Sequence, residues 1–387
     1  MRICVIGSGI SGLTTATKIS EHKSVEVTVL EQARHFGGRA DVDVDGEHCP
    51  RFFMDDYTEL FSILGTIEGQ DGRSVRSALL NARRLSHTHT SGWVEISHLY
   101  RLLAREIPIT ERITLARQWR PSPLVADQQG RNANRFGSLR DYSPVGLLRM
   151  ARNLVRSKTG YVLPGPTDVY LIDPWLRDLR RRGVSLEADR RVTNLAQHGS
   201  HVAVTTAMGT EVFDVVVVTA FVPDLVNLLD ASKIDHIAVD SGNTHCVAYT
   251  IQLDPREKVL ADASPAMYCR DGVNILVQPG HDRCVVLCTM ATRTDPDHVL
   301  AKVRSYLELD RDLVSVRCRV NQRPGEAVFV GDYVRSDRLL RRPMRGLYFA
   351  GSAIHNSYPI DAAEGAVRSA LAAVRAIRRD YDLEVAR

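Results

Sequence analysis

The feature that most restricts this fold is the opening segment, MRICVIGSGISGLTTATKIS. Ile3, Val5 and Ile6 supply a short buried strand. Gly7, Ser8, Gly9, Ile10, Ser11 and Gly12 then fit G-x-G-x-x-G, and the residues after them read as a helix. The three glycines serve different ends. Gly7 makes the tight turn, Gly9 lets the backbone approach a pyrophosphate, and Gly12 lets helix pack on strand. The free N–H groups and dipole at that helix start favour an anion. A second strand, VEVTVLE, ends in Glu31. An acid at a strand end about 20 residues on suits a ribose diol. The succession points to a βαβ dinucleotide-binding unit; a glycine-rich turn beside a structural acid is the alternative.

After Glu31 comes QARHFGGRA. Gly37 and Gly38 form a flexible turn, and Arg39 places a guanidinium that can meet a phosphate bidentately. An Arg39 that merely solvates a loop is the other reading. With these residues the chain resembles the FAD-dependent flavin amine oxidases and carotenoid (phytoene) desaturases, which share the glycine motif, the glutamate and the GGR turn. The resemblance implies FAD.

It continues downstream. DVDGEHCPRFFMDDYTELFSIL, with Glu47, His48 and Tyr57 to Leu60, is similar to the step that leads from GGR into a helix in desaturases. In YVLPGPTDVYLIDPWLRDLRRRGVSLEADRRVTNL, Ile172, Trp175, Leu176 and Leu179 make a helical apolar face. Gly183 suits the residue just past the helix end. Val184–Leu186 and Arg191–Leu195 read as strands, and the resemblance implies that the Val192 backbone meets the adenine. FDVVVVTA reads as a strand covered on both faces. CVAYTIQL, NILVQP and RCVVLCTM read as strands and DPDHVLAKVRSYLEL as a helix.

Near the C-terminus, GLYFAGSAIHNSYPIDAAEGAVRSALAAVRAI reads as strand, loop and helix. The resemblance implies that this segment returns to the chain start and completes the flavin site with Gly351, Ser352, Ala362 and Ala363. A helix start beside the flavin O2 would stabilise the negative charge of the reduced ring. Ser352 stands where the family often has Asp or Glu. The expected fold is α/β, a discontinuous Rossmann-like FAD-binding domain with an inserted mixed α+β substrate domain. Residues 1–55, 160–230 and 335–387 are assigned to the first, 56–159 and 231–334 to the second; 387 residues are ample for two.

Amine oxidases of the superfamily usually carry a lysine in a substrate-domain strand and a tyrosine before the helix at the flavin. Here the matching positions are His245 and Ala362. The missing aromatic wall leaves space for a bulkier apolar substrate. The resemblance thus implies dehydrogenation of a lipophilic molecule, such as an isoprenoid or a polyketide-type intermediate, with hydride passing to flavin N5. Positioning in an apolar pocket would supply most of the rate. Candidate bases are His245, His355 and Asp361, with Tyr358 as an orienting hydroxyl. Each reads equally as a hydrogen-bonded supporting group, and His48 reads either as facing the flavin or as a hydrogen-bonded core imidazole. Three other readings stay open: an amine or amino-acid oxidase without the lysine, a flavin enzyme with no net redox, and a non-catalytic binding protein like the GDP-dissociation inhibitors. Glu31 and the intact GGR argue against the last.

Composition narrows the partners. A net charge of +4 argues for no polyanionic partner. Seven scattered cysteines without a CxxC suit packed thiols such as Cys284 and Cys288, not a metal site or disulfide framework. No apolar run reaches the ~20 residues of a membrane helix. A strand at the very start leaves no room for a signal peptide, so the expected location is cytoplasmic, with surface membrane contact open. Arg131, Arg135, Arg140, Arg149, Arg152, Arg156 and Lys158 mark a basic stretch with an amphipathic helix. It reads either as a lid for anionic lipid or a diphosphate, or as a solvated helix packed on its own domain. No aromatic platform accompanies the charge, which argues against nucleic acid.

Overall fold

The computed structural model describes residues 1–88, 92–95, 160–239, 246–262, 264–270, 273–288, 295–321, 335–351, 354–358 and 362–383. The basic stretch from 131 to 158 lies outside the described residues.

A five-stranded, fully parallel sheet organises the nucleotide side: β1 (Arg2–Ile6), β2 (Glu26–Leu30), β9 (Ser185–Glu187), β13 (Val215–Val218) and β19 (Leu347–Phe349), in the order β19-β13-β1-β2-β9. Strands drawn from positions 2 and 347 share this sheet, so the two ends of the chain fold together. The valine run Val215–Val218 is wholly buried. Val215 and Val217 face one core with Ile3 and Val5; Val216 and Val218 face a second with Cys4 and Ile6. A strand's side chains alternate between faces, so a strand covered on both sides needs an uninterrupted apolar run.

Helices α1 (Ile10–Ile19), α2 (Thr58–Leu64), α3 (Asp173–Arg181) and α6 (Ala363–Asp380) cover the first face. Trp175, fully buried, donates its indole N–H to Thr17 Oγ1 at 2.8 Å and ties α3 to α1. Gly183 follows α3 at φ +81°, the left-handed conformation its place after the helix demands. The other face carries α4 (Val222–Ala231) and the antiparallel meander β10 (Val192–His198), β11 (His201–Thr206) and β12 (Gly209–Phe213).

A nine-stranded mixed sheet forms the second layer system. Its strands are β5 (Phe53–Met54), β6 (Leu80–Thr88), β7 (Gly92–Glu95), β8 (Gly160–Val162), β14 (Cys246–Gln252), β15 (Ala266–Arg270), β16 (Val273–Gln278), β17 (Arg283–Cys288) and β18 (Ser315–Asn321). Their order is β18-β14-β17-β16-β15-β6-β8-β5, with β7 paired to β6. Helix α5 (Pro296–Leu307) covers one face through Val299, Val303 and Tyr306. The hairpin β3 (Val42–Asp43) and β4 (Gly46–Glu47) lies against β14 and β18. At the joints expected near 55 and 160, α2 packs on α6, and Gly160–Val162 pairs into the large sheet. Among the described residues no helix is long and apolar enough to cross a membrane.

Candidate active site

The first loop is shaped as its glycines require. Gly7 sits at φ +99°, and its N–H donates to the Leu30 carbonyl at 2.8 Å. Any Cβ on Gly12 would overlap the Gly7 carbonyl, so only glycine lets α1 start here. Thr219 Oγ1 donates to the carbonyls of Ile6 and Gly7, both at 2.9 Å, and clamps the turn from β13. Gly9 precedes α1 in extended conformation, with no side chain capping the helix amides. Those donors are available to an anion.

Glu31 is buried at the end of β2. Its Oε2 accepts from Ser8 N–H at 2.8 Å and Ser8 Oγ at 2.6 Å, and its Oε1 accepts from Ala33 N–H at 2.9 Å. Ser8 Oγ in turn accepts from Gly37 N–H at 3.1 Å. One serine therefore joins the glycine loop, the acid and the GGR turn.

These parts border a cavity of about 1040 Å³. Gly7, Gly9, Ser11, Glu31, Gly37, Gly38 and Arg39 line it from the N-terminal third, and Val192 from β10. Gly351, Ala362 and Ala363 line it from the return segment. Gly12 stands behind the loop as packing. Ser352, Asp361 and His245 lie outside the described residues. Two expected residues sit elsewhere. His355 is exposed and borders a separate cavity between β19 and the outer side of α6. Tyr358 is buried behind Tyr57, edge to face at 5.5 Å, and donates its hydroxyl to Asp56 Oδ1 at 3.0 Å. Burial pushes the Tyr358 hydroxyl far up, so it remains a protonated donor. Burial also raises the Asp56 carboxyl, against the lowering effect of that hydrogen bond.

The cavity fits a dinucleotide. Ser11 Oγ is buried on its wall with no hydrogen-bond partner, an open request for a ligand acceptor. Gly351, at φ +142°, has nothing within 4 Å of where a Cβ would stand, so the return turn leaves room. At Val192 the β10–β11 register shifts.

A sequence model for the flavin containing amine oxidoreductases matches residues 169–378. The chain belongs to the flavin containing amine oxidoreductase family. A second model, for NAD(P)-binding Rossmann-like domains, matches residues 5–66. No curated protein sequence matches the chain. Among solved structures, a protein assigned as a protoporphyrinogen oxidase from Exiguobacterium sp. 255-15 is 16% identical at a TM-score of 0.62, covering 98% of this chain and 99% of that one. Cyclohexylamine oxidase from Brevibacterium oxydans is 13% identical at a TM-score of 0.57, covering 98% and 99%. CtdE, solved with FAD and a substrate, is 12% identical at a TM-score of 0.53, covering 96% of this chain and 78% of that one. At these identities the structures establish the shared fold.

This flavin containing amine oxidoreductase is an FAD-dependent enzyme, and its cavity is lined from both the N-terminal part and the return segment of the chain. Ser8, Ser11, Glu31, Arg39 and the α1 amides would hold the ribose and pyrophosphate, and the Val192 backbone the adenine. The lining also includes His48, Cys49, Met54, Tyr57, Leu287 and Ala362. His48 is 3% exposed and is one of the lining residues. Sequence reasoning missed Ser8 and Thr219, which carry no motif of their own. It also missed what Glu364 does. This fully buried carboxylate accepts from the N–H groups of Glu59 at 3.2 Å and Leu60 at 3.0 Å, at the start of α2, and from Arg368 Nε at 2.7 Å. Only the hydrogen-bond needs of α2, whose N-cap residue Tyr57 supplies no side-chain acceptor, ask for it.

Proposed function

We propose that the enzyme dehydrogenates a lipophilic small molecule, such as an isoprenoid or another natural-product intermediate. The observation that carries this reading is the return end of the cavity. Ala362, the residue before α6, stands on its wall where an aromatic residue would narrow it, beside Met54, Tyr57 and Leu287. Apolar walls exclude water and hold a C–H bond in one orientation, which is where most of the rate of such a reaction arises.

FAD, when bound, supplies the two-electron acceptor for that bond. The chain supplies the rest. Tyr57, fixed by Tyr358 behind it, and Leu287 define the width of the substrate end. His48, a lining residue of the cavity, is the histidine we assign to take the proton that accompanies dehydrogenation. His245 and Asp361 remain candidate bases, whereas His355 and Tyr358 face away from the cavity.

The test is the visible spectrum of the purified protein, followed by anaerobic reduction with a panel of lipophilic substrates and a panel of amines. Bleaching by a lipophilic compound, with a desaturated product, is the expected result. Bleaching by amines alone, with peroxide released on admitting oxygen, would overturn the reading in favour of an oxidase.

A further inference from the structure

The hairpin that leads to His48 is held in a way the binding of FAD does not require. Glu47 is 1% exposed and lies between the two sheet systems. Its Oε1 accepts from Arg283 Nη2 at 2.9 Å and from Thr167 N–H at 2.9 Å. Arg283, at the start of β17, donates Nε to Gln278 Oε1 at 2.6 Å. Gln278 Nε2 donates to the carbonyls of Leu163 at 2.9 Å and Gly165 at 3.2 Å. The Glu47 N–H donates to Thr250 Oγ1 at 3.0 Å, and the next carbonyl, that of His48, accepts from Asn321 Nδ2 at 3.0 Å. Glu47, Arg283, Gln278, Thr250 and Asn321 are all buried.

Two buried charges at the joint of two sheets need a reason. A hydrophobic pair of similar volume would usually hold such a joint at least as firmly. What apolar contact cannot do is fix direction. Here hydrogen bonds run to residue 47 from three sides and to residue 48 from a fourth, and both His48 and Cys49 border the cavity. We infer that the Glu47–Arg283 pair is a positioning device: through it the substrate-side sheet sets where His48 and Cys49 stand along the cavity. Glu47 and Arg283 are positioning residues, touching neither cofactor nor substrate. The inference deepens the proposed function, because it rests on His48 being part of the reaction end of the cavity.

The test uses full-length, FAD-loaded protein and needs no substrate. Cys49 is half-buried, so the rate of its alkylation by N-ethylmaleimide, followed by peptide mass, reports on the segment. The absorption spectrum of the bound flavin reports on the cavity that His48 and Cys49 border. The double variant Glu47→Leu/Arg283→Met removes both charges and keeps bulk. It is expected to stay folded and yellow, yet to alkylate Cys49 at least about tenfold faster, since several hydrogen bonds of local ordering are lost. Its flavin spectrum should also differ from that of the natural chain. Glu47→Gln keeps an oxygen for Arg283 and Thr167 and should remain within about threefold of the natural rate. An unchanged Cys49 rate and flavin spectrum in the double variant would overturn the inference and leave the pair as packing. If the double variant does not fold, Thr250→Val deletes one acceptor without changing shape; a rise of about threefold or more supports the device, and no rise overturns it. A substrate of another class would defeat the proposed function and leave these readouts untouched.

Discussion

Glu364→Ala should unfold the enzyme's nucleotide side well before the natural chain melts. Glu364 lies in the first turn of α6, yet its carboxylate serves the first turn of α2, 305 residues earlier for the Glu59 contact. Removing it strands two amide donors, and the Arg368 guanidinium loses an acceptor 2.7 Å away. A buried donor left unsatisfied costs about 1–3 kcal/mol; the Leu60 amide is buried, and the Glu59 amide, only partly so, costs less. Arg368 keeps partial access to water, with 26% of its side chain exposed, so it adds less than a sealed charge. The total is about 3–5 kcal/mol, the usual penalty for breaking a buried charged pair from one side. For a cooperative unit of this kind, at about 2–4 °C per kcal/mol, the midpoint falls by roughly 10 °C. Glu364→Gln keeps one acceptor oxygen and should lose about half as much. Thermal unfolding followed by circular dichroism and by release of flavin fluorescence measures both. A shift under about 2 °C for Glu364→Ala would refute the reasoning, because it would mean that water or another group satisfies α2 at little cost.

Three further outcomes are expected. Glu31→Ala frees Ser8 and Ala33 from their shared acceptor and should weaken FAD binding by roughly 100-fold, at about 1–3 kcal/mol per unsatisfied group, read by flavin fluorescence titration. Ala362→Tyr should leave FAD bound and lower turnover of a bulky lipophilic substrate at least about tenfold, the effect of filling a pocket by one side chain; steady-state kinetics on the best substrate would decide. Stability should fall in alkali: burial pushes the Cys284 thiol up to about 12. The unfolded chain loses that proton near pH ~8.5, so the native state binds more protons, and the contribution drains away as pH rises from there towards 12. The slope is about 1.4 kcal/mol per pH unit for one thiol. Denaturant unfolding of Cys284→Val across that range should show a shallower decline.

The two cofactor landmarks were legible because their physics is local. A glycine that must take positive φ, such as Gly7, and a helix that must start against a strand, as at Gly12, leave marks within six residues of sequence. Val215–Val218 could be read as doubly covered from its composition, and Trp175 and Leu179 as a buried face from their spacing. The candidate bases were less legible. His355 lies only four residues beyond Gly351, but the turn carries it to the outside of α6, and no periodicity in a loop foretells that direction. Tyr358 turned inward, to a carboxylate contributed by residue 56.

The amino-acid order alone determined the βαβ unit, the acid at the end of β2 and the buried strands, because each depends on neighbours a few residues apart; the return of the C-terminal helix came from the resemblance, and the pairing of β19 with β13 carries it. The partners of Glu47 and Glu364 were decided only by the tertiary structure. Arg283 is 236 positions from Glu47, and Leu60 is 304 from Glu364. A buried carboxylate states in the sequence that it needs donors; which donors come within 3 Å is settled only when the sheets and helices close around it.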